Sequence, residues 1–88
     1  MGNYSVQIKK SALKELEAVS TKADRQRIIR RIRSLSDNPR PVGVQKLSGH
    51  ERYRLRQGRY RILYTIHDLE LTVYVIRIAD RKEVYRDL

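Results

Sequence analysis

Polar and apolar positions along the 88-residue chain change period once, from helical to strand spacing, close to its midpoint. Before that change, Tyr4-Ser5-Val6-Gln7-Ile8 alternates and predicts a short opening strand. Ser11 is then a candidate N-cap for a helix running to about Val19, with Leu13 and Leu16 on one face. Thr21-Lys22-Ala23-Asp24 has the form of a capping box, with Asp in place of the usual Glu. It opens a second helix in which Ile28, Ile32 and Leu35 recur at i, i+4 and i+7, and Ile29 widens the stripe. Two helices joined so closely predict a helical hairpin. Asn38-Pro39 ends the second one, because the residue before proline is pushed out of the α region.

Arg40 to Gly49 reads as a connector, and beyond it the period becomes two. Glu51 to Gln57 and Arg59 to His67 predict a β-hairpin. Glu70 to Ile78 predicts a third strand, apolar on both faces through Leu71, Val73, Tyr74, Val75 and Ile76, and so covered on both sides. The order β-α-α-β-β-β predicts a single α+β domain, with a helical hairpin packed on one face of a mostly antiparallel sheet.

Parity within the hairpin sorts its side chains. Tyr53, Leu55, Tyr60, Ile62, Tyr64 and Ile66 leave one face, which assigns the three tyrosines to the core. Arg52, Arg54, Arg56, Arg59 and Arg61 leave the other face, with Leu63 and Thr65. If Gln57-Gly58 forms a two-residue type I′ turn, Arg56 stands opposite Arg59 and Arg54 opposite Arg61. Like charges facing each other destabilise a sheet. A chain that gathers four guanidiniums in this way weakens its own fold there unless a polyanion supplies the counter-charge, and phosphate suits the planar fork of arginine.

Composition strengthens that reading. The formal net charge is +10, with 14 Arg against 6 Lys, which implies nucleic acid or an acidic protein as partner. No cysteine is present, which removes disulfides and thiolate metal sites and suits a reducing cytoplasm. No apolar run approaches the ~20 residues of a membrane span, and no signal-peptide pattern opens the chain, so a soluble cytoplasmic protein is expected. His50 and His67 stand apart, no carboxylate cluster has ligand spacing, and neither a metal nor a cofactor is expected. Asp68 beside His67 reads as turn chemistry. Tyr74 reads either as core or as an aromatic surface beside Leu63 on which a base can stack. Tyr85 follows the last strand in a charged stretch with no hydrophobic role.

Arginine and tyrosine suffice for one reaction class. RNA carries its own nucleophile, the 2′-OH, so a protein need only align the phosphate, stabilise the crowded oxyanion and help move two protons. A tyrosine of ordinary pKa about 10 is a poor base at neutral pH, but surrounding guanidiniums favour its ionised form.

At this point the chain resembles the RelE/ParE superfamily of toxins from bacterial type II toxin–antitoxin pairs, and its RelE-like branch in particular. The resemblance spans nearly the whole chain. It rests on the element order, on Lys46-Leu47-Ser48-Gly49 where the family has a Lys-Leu-x-Gly connector, and on Tyr53-Arg54-Leu55-Arg56. Gly58-Arg59-Tyr60-Arg61-Ile62-Leu63-Tyr64 and Arg81-Lys82-Glu83-Val84-Tyr85 complete it. RelE-like members are ribosome-dependent endoribonucleases that cut mRNA in the A site. The resemblance implies Tyr85 as general base, Arg61 as transition-state stabiliser and Arg81 as general acid or charge stabiliser. Arg54 and Arg56 occupy positions where the family pattern has two lysines, a departure that keeps charge but changes geometry and proton-donating ability. It also implies an acidic, RelB-like antitoxin and the ribosome as partners. Arg59, Lys46 and Arg52 are candidate RNA contacts. The helix carrying Arg27, Arg30, Arg31 and Arg33 reads as a solvated face or as a ribosomal RNA contact. Two other activities fit the same features: a ParE-like DNA gyrase poison, and a non-catalytic basic module that only grips phosphates.

Overall fold

The computed structural model describes residues 2–47 and 51–80. The opening strand β1 (Ser5–Ile8) is followed by α1 (Lys10–Glu17) and α2 (Lys22–Ser34), then by strands β2 (Gln45–Lys46), β3 (Arg52–Gln57), β4 (Tyr60–His67) and β5 (Thr72–Asp80). The five strands form one sheet in the order β1-β5-β4-β3-β2. Only the β1–β5 pair is parallel. Both helices cover the same face, where Leu16, Ile28, Ile32 and Leu35 pack on Tyr53, Leu55, Ile62, Tyr64, Val73, Val75 and Ile78. This is the expected α+β architecture, with one addition: the connector contributes a two-residue edge strand, Gln45 facing Arg54 and Lys46 facing Tyr53.

The first helix differs from expectation. Its N-cap is Lys9 rather than Ser11, and it ends at Glu17. The Lys9 N–H still donates to Val75 O at 2.9 Å, as a continuation of β1, so the chain enters the helix as soon as the strand releases it. The buried face is consequently Ala12 and Leu16, continued by Val19, while Leu13 is 43% exposed. In α2 the Thr21 side of the capping box holds as read, while the Asp24 carboxylate pairs with Arg27. Thr21 Oγ1 accepts from the Asp24 N–H at 3.2 Å, and Ile28 and Ile32 are buried. Pro39 follows a looser exit in which Asn38 Oδ1 accepts the Arg40 N–H at 3.1 Å.

The hairpin turn is also displaced. Gln57 pairs with Tyr60, so the two turn residues are Gly58 and Arg59 rather than Gln57 and Gly58. Gly58 has φ +60 and Arg59 is not in the positive-φ region, the pattern of a type II′ turn, which needs glycine only at its first central position. A turn at Gln57-Gly58 would have forced Gln57 into that region as well. The shift moves each pairing by two residues and therefore keeps every face. Arg56 now faces Arg61, Arg54 faces Leu63 and Arg52 faces Thr65.

The third long strand runs Thr72–Asp80 rather than Glu70–Ile78. Between β4 and β5 the register slips, with Leu63 opposite Arg77 and Tyr64 opposite Val75, which leaves Ile76 as the extra residue of a bulge. Val73 and Val75 face the core before it and Ile78 after it. This change of parity is why the strand reads as apolar on both faces. On the β1 side, β1 stops at the level of Val75. There Glu15 of α1 takes over as partner, accepting the Ile78 N–H at 2.9 Å and Arg77 Nε at 3.1 Å.

Asp68 joins three segments distant in sequence. It accepts a hydrogen bond from the Tyr4 hydroxyl at 2.7 Å, and its two oxygens accept from Arg40 at 3.2 and 2.9 Å. Arg40 also lies over the Tyr53 ring, 5.4 Å from its centroid. The hydrogen bonds from Arg40 first, and from Tyr4 second, hold the Asp68 carboxyl below the usual carboxylate range. A carboxylate depressed on folding stabilises above its unfolded pKa of about 3.9 and loses that contribution as pH falls through its lower folded value. Asp68→Asn should therefore be less stable than wild type at neutral pH, and the difference should shrink as the pH drops below about 4. Urea unfolding of both proteins at several pH values measures it.

Candidate functional site

The face turned away from the helices carries the arginines. Successive same-side positions of β3 supply Arg52, Arg54 and Arg56, and β4 supplies Arg61, Leu63 and Thr65. Arg54, Arg56 and Arg61, with Gly43 and Gln45, line a cavity of about 290 Å³. The expected square of four guanidiniums is thus a cluster of three. Arg59 has left it for the turn, where Nε and Nη2 bond Asp80 Oδ2 at 2.8 and 2.6 Å.

Arg61 is the most constrained of the three. It is 5% exposed, opposite Arg56 on one side and Ala79 on the other. Its Nη1 is buried without a hydrogen-bond partner among the described residues. Leu63 and Ala79 form a small apolar cluster on this face, with Leu47 and Ile76 against it. A guanidinium cannot be neutralised by losing its proton, and an unpaired buried charge is costly. Arg56 directly opposite raises that cost. The site therefore has unused donors and surplus positive charge, the chemistry of an oxyanion receptor.

Gln45, which sequence reasoning passed over as part of a connector, belongs to this site. Its Oε1 accepts a hydrogen bond from Arg54 Nη2. Because arginine only donates, that contact leaves the Gln45 amide NH₂ as a further donor. The signal for it lay in Gly43. The Val44 N–H closes a turn onto Pro41 O at 3.1 Å, and Gly43 has φ +90. A glycine-dependent turn of this kind delivers the next residues to a strand edge.

The other expected contacts lie further out. Lys46 is exposed and 3.4 Å from Glu51. Arg52 is exposed at the other end of β3. Arg27, Arg30 and Arg31 line a separate groove with Ser34 of α2 and Gln57 of β3, and Arg27 also pairs with Asp24 at 3.3 Å. Tyr53 and Tyr64 stack in the core, centroids 5.8 Å apart, and Tyr60 is half-buried against it. Burial raises the Tyr64 phenol, and its hydroxyl donates to Pro39 O at 2.7 Å, so it is no base. Tyr85, Arg81 and the Ser48-Gly49 end of the connector motif lie outside the described residues. No helix among the described residues is long and apolar enough to cross a membrane.

The family model of the ParE toxin of the type II toxin–antitoxin system parDE matches residues 6–85. The chain belongs to the ParE toxin family. Among solved structures, the toxin is similar to the archaeal RelE–RelB complex from Pyrococcus horikoshii, at 28% identity and a TM-score of 0.81, covering 90% of this chain and 96% of that one. It is similar to the RelB–RelE complex from Methanococcus jannaschii, at 26% identity and TM-score 0.73 over 93% and 98% of the two chains. The intact Escherichia coli RelBE complex gives 26% and 0.72 over 88% and 95%. No curated protein matches the sequence. With a family model over most of its length and RelE structures on its fold, the protein is a RelE-like toxin of a type II toxin–antitoxin pair.

If Arg61 is held unpaired for an anion, replacing it by a neutral side chain of similar length removes a folding cost along with the binding site. Arg61→Met should raise the unfolding free energy in low-salt buffer by about 1 kcal/mol. It should also abolish most of the increase in melting temperature that sulfate gives the wild type. Thermal unfolding with and without sulfate tests both effects.

Proposed function

We propose that this toxin is a ribosome-dependent, metal-independent endoribonuclease that cleaves mRNA in the A site and so inhibits translation. The observation that carries the reading is Arg61, buried with an Nη1 that has no partner among the described residues, in a cavity shared with Arg54 and Arg56. Three guanidiniums around one space suit the dianionic, five-coordinate phosphorus formed when a 2′-OH attacks its neighbouring phosphate. There they stabilise charge that grows in the transition state. In that reaction the 2′-oxygen bonds to phosphorus, the bond to the 5′-oxygen breaks, and one proton leaves the nucleophile while another reaches the leaving group. Tyr85 is the proposed base for the first transfer. Arg81 is assigned to the leaving oxygen, as acid or as charge stabiliser. Arg52, Arg59 and Lys46 are proposed to hold flanking phosphates, with Arg59 exchanging Asp80 for RNA.

An acidic, RelB-like antitoxin is the proposed protein partner, supported by the RelB-bound state of the similar structures and by the +10 charge it would neutralise. The groove of Arg27, Arg30 and Arg31 is proposed to meet ribosomal RNA. A second reading, poisoning of DNA gyrase, is favoured by the family description, which is that of ParE. The two differ in substrate, because DNA lacks the 2′-OH.

Primer extension on a translated reporter mRNA separates them. The ribonuclease reading expects cuts within codons that require ribosomes and vanish in Tyr85→Phe. Arg61→Met should lower the rate by about two to three orders of magnitude. Absence of cutting by wild type, together with inhibition of gyrase supercoiling, would transfer the assignment to ParE-like poisoning. Reversing Arg27 and Arg30 to Glu should weaken ribosome co-sedimentation while leaving the circular dichroism spectrum unchanged; equal co-sedimentation would remove the α2 contact.

A further inference from the structure

Beyond the arginine cavity, the same open face continues along β4 and across β5 to β1, and there its chemistry changes. The register sets four residues in one row across four strands: Arg52 opposite Thr65, Thr65 opposite Tyr74, and Tyr74 opposite Gln7. The bulge at Ile76 lies beyond this row, so Tyr74 keeps the parity that puts it on the arginine side of the sheet. Tyr74 is half-buried and lines a shallow cavity of about 320 Å³ with Gln7, His67, Glu70 and Thr72. His67 Nε2 lies 3.0 Å from Thr65 Oγ1. Arg54, in the adjacent row on the same face, lies about 7 Å along the sheet from Arg52, and Arg52 is about 10 Å, two strand spacings, from Tyr74.

The two cavities on this face are chemically opposite. Among the described residues, one is lined by three guanidiniums and the other by an aromatic ring, an imidazole, a carboxylate, a hydroxyl and an amide, with no lysine or arginine. Phosphate belongs in the first and is disfavoured in the second by Glu70. The second offers what an unstacked base needs: a ring to stack on and mixed donors and acceptors for its edge.

We propose that Tyr74 is the stacking platform of a nucleobase subsite, with His67, Glu70, Thr72 and Gln7 around the base edge and Arg52 on the phosphate of the same nucleotide. The ligand is a nucleotide flanking the phosphate gripped by Arg54, Arg56 and Arg61, so the subsite rests on the RNA-binding reading given above. The occupant is single-stranded, since a paired base cannot leave its stack to lie on a flat sheet.

The test uses the full chain and a short fluorescent 2′-O-methyl oligoribonucleotide, which binds without being cleaved. Anisotropy titrations compare the intact oligonucleotide with a series carrying one abasic position each. For wild type, one position should lose about tenfold in affinity when its base is removed. Tyr74→Leu should bind the intact oligonucleotide about tenfold more weakly and should no longer distinguish the abasic one, and Tyr74→Phe should restore both. The salt dependence of binding should be the same for wild type and Tyr74→Leu, since no phosphate contact is lost. Uniform tolerance of abasic sites by wild type, with Arg54→Ala still reducing both affinity and salt dependence, would overturn the base subsite and leave the phosphate grip standing. Binding that ignores both salt and Arg54→Ala would overturn the phosphate grip and the subsite with it.

Discussion

Everything on the open face of this sheet is organised around a charge that the fold itself leaves unbalanced. Arg61 sits on a central strand with its guanidinium enclosed, Arg56 directly across from it, and one nitrogen without a partner among the described residues. Three other described arginines of the sheet and its connectors have acidic partners. Arg40 has Asp68, Arg59 has Asp80 and Arg77 has Glu15. Arg61 instead lies where three basic strand positions converge, and the core on the reverse face must hold it in place. Tyr64, Ile62 and Leu55, all but fully buried beneath the helices, keep β3 and β4 together against the repulsion above them.

The edges of the sheet show the same division of labour. One edge is the two-residue β2, whose Gln45 orients Arg54. Toward the other edge, β5 outruns β1 and is finished by the Glu15 carboxylate of α1. These structural carboxylates therefore lie on the periphery and on the helix side, while the described residues lining the arginine cavity include none. An acceptor placed in that cavity would satisfy Arg61 internally and compete with any incoming phosphate.

How much of this was legible in the sequence follows from how local each feature is. The faces of β3 and β4 were readable because period-two alternation survives any even shift in register, and the displaced turn was an even shift. The identity of opposing pairs was not, since a glycine at position 58 can occupy either central place of a two-residue turn and only the type II′ geometry decides. The core side of α2 followed from its i, i+4, i+7 isoleucines and leucine. That of α1 did not, because its phase is set by where β1 lets go of β5, a contact 66 residues away in sequence between Lys9 and Val75. The bulge at Ile76 left no mark except apolar residues on both faces, which full burial explains equally well. Gln45 escaped notice because a two-residue strand carries no periodicity. Tyr85 and Arg81 were singled out by resemblance and by their charged surroundings, and they lie outside the described residues.

The parallel pairing of Ser5–Ile8 with Thr72–Val75 has a consequence for the order of events during synthesis. Strands β3 and β4 are neighbours in sequence, but the sheet has no place for β1 until β5 exists, and residues 9–71 separate those two partners. Long-range pairings of this kind form late and slowly. The arginine-bearing pair is therefore local in sequence, while the pairing that frames it is long-range. A nascent chain interrupted before residue 72 would carry the basic face without the sheet that gives it a fixed shape.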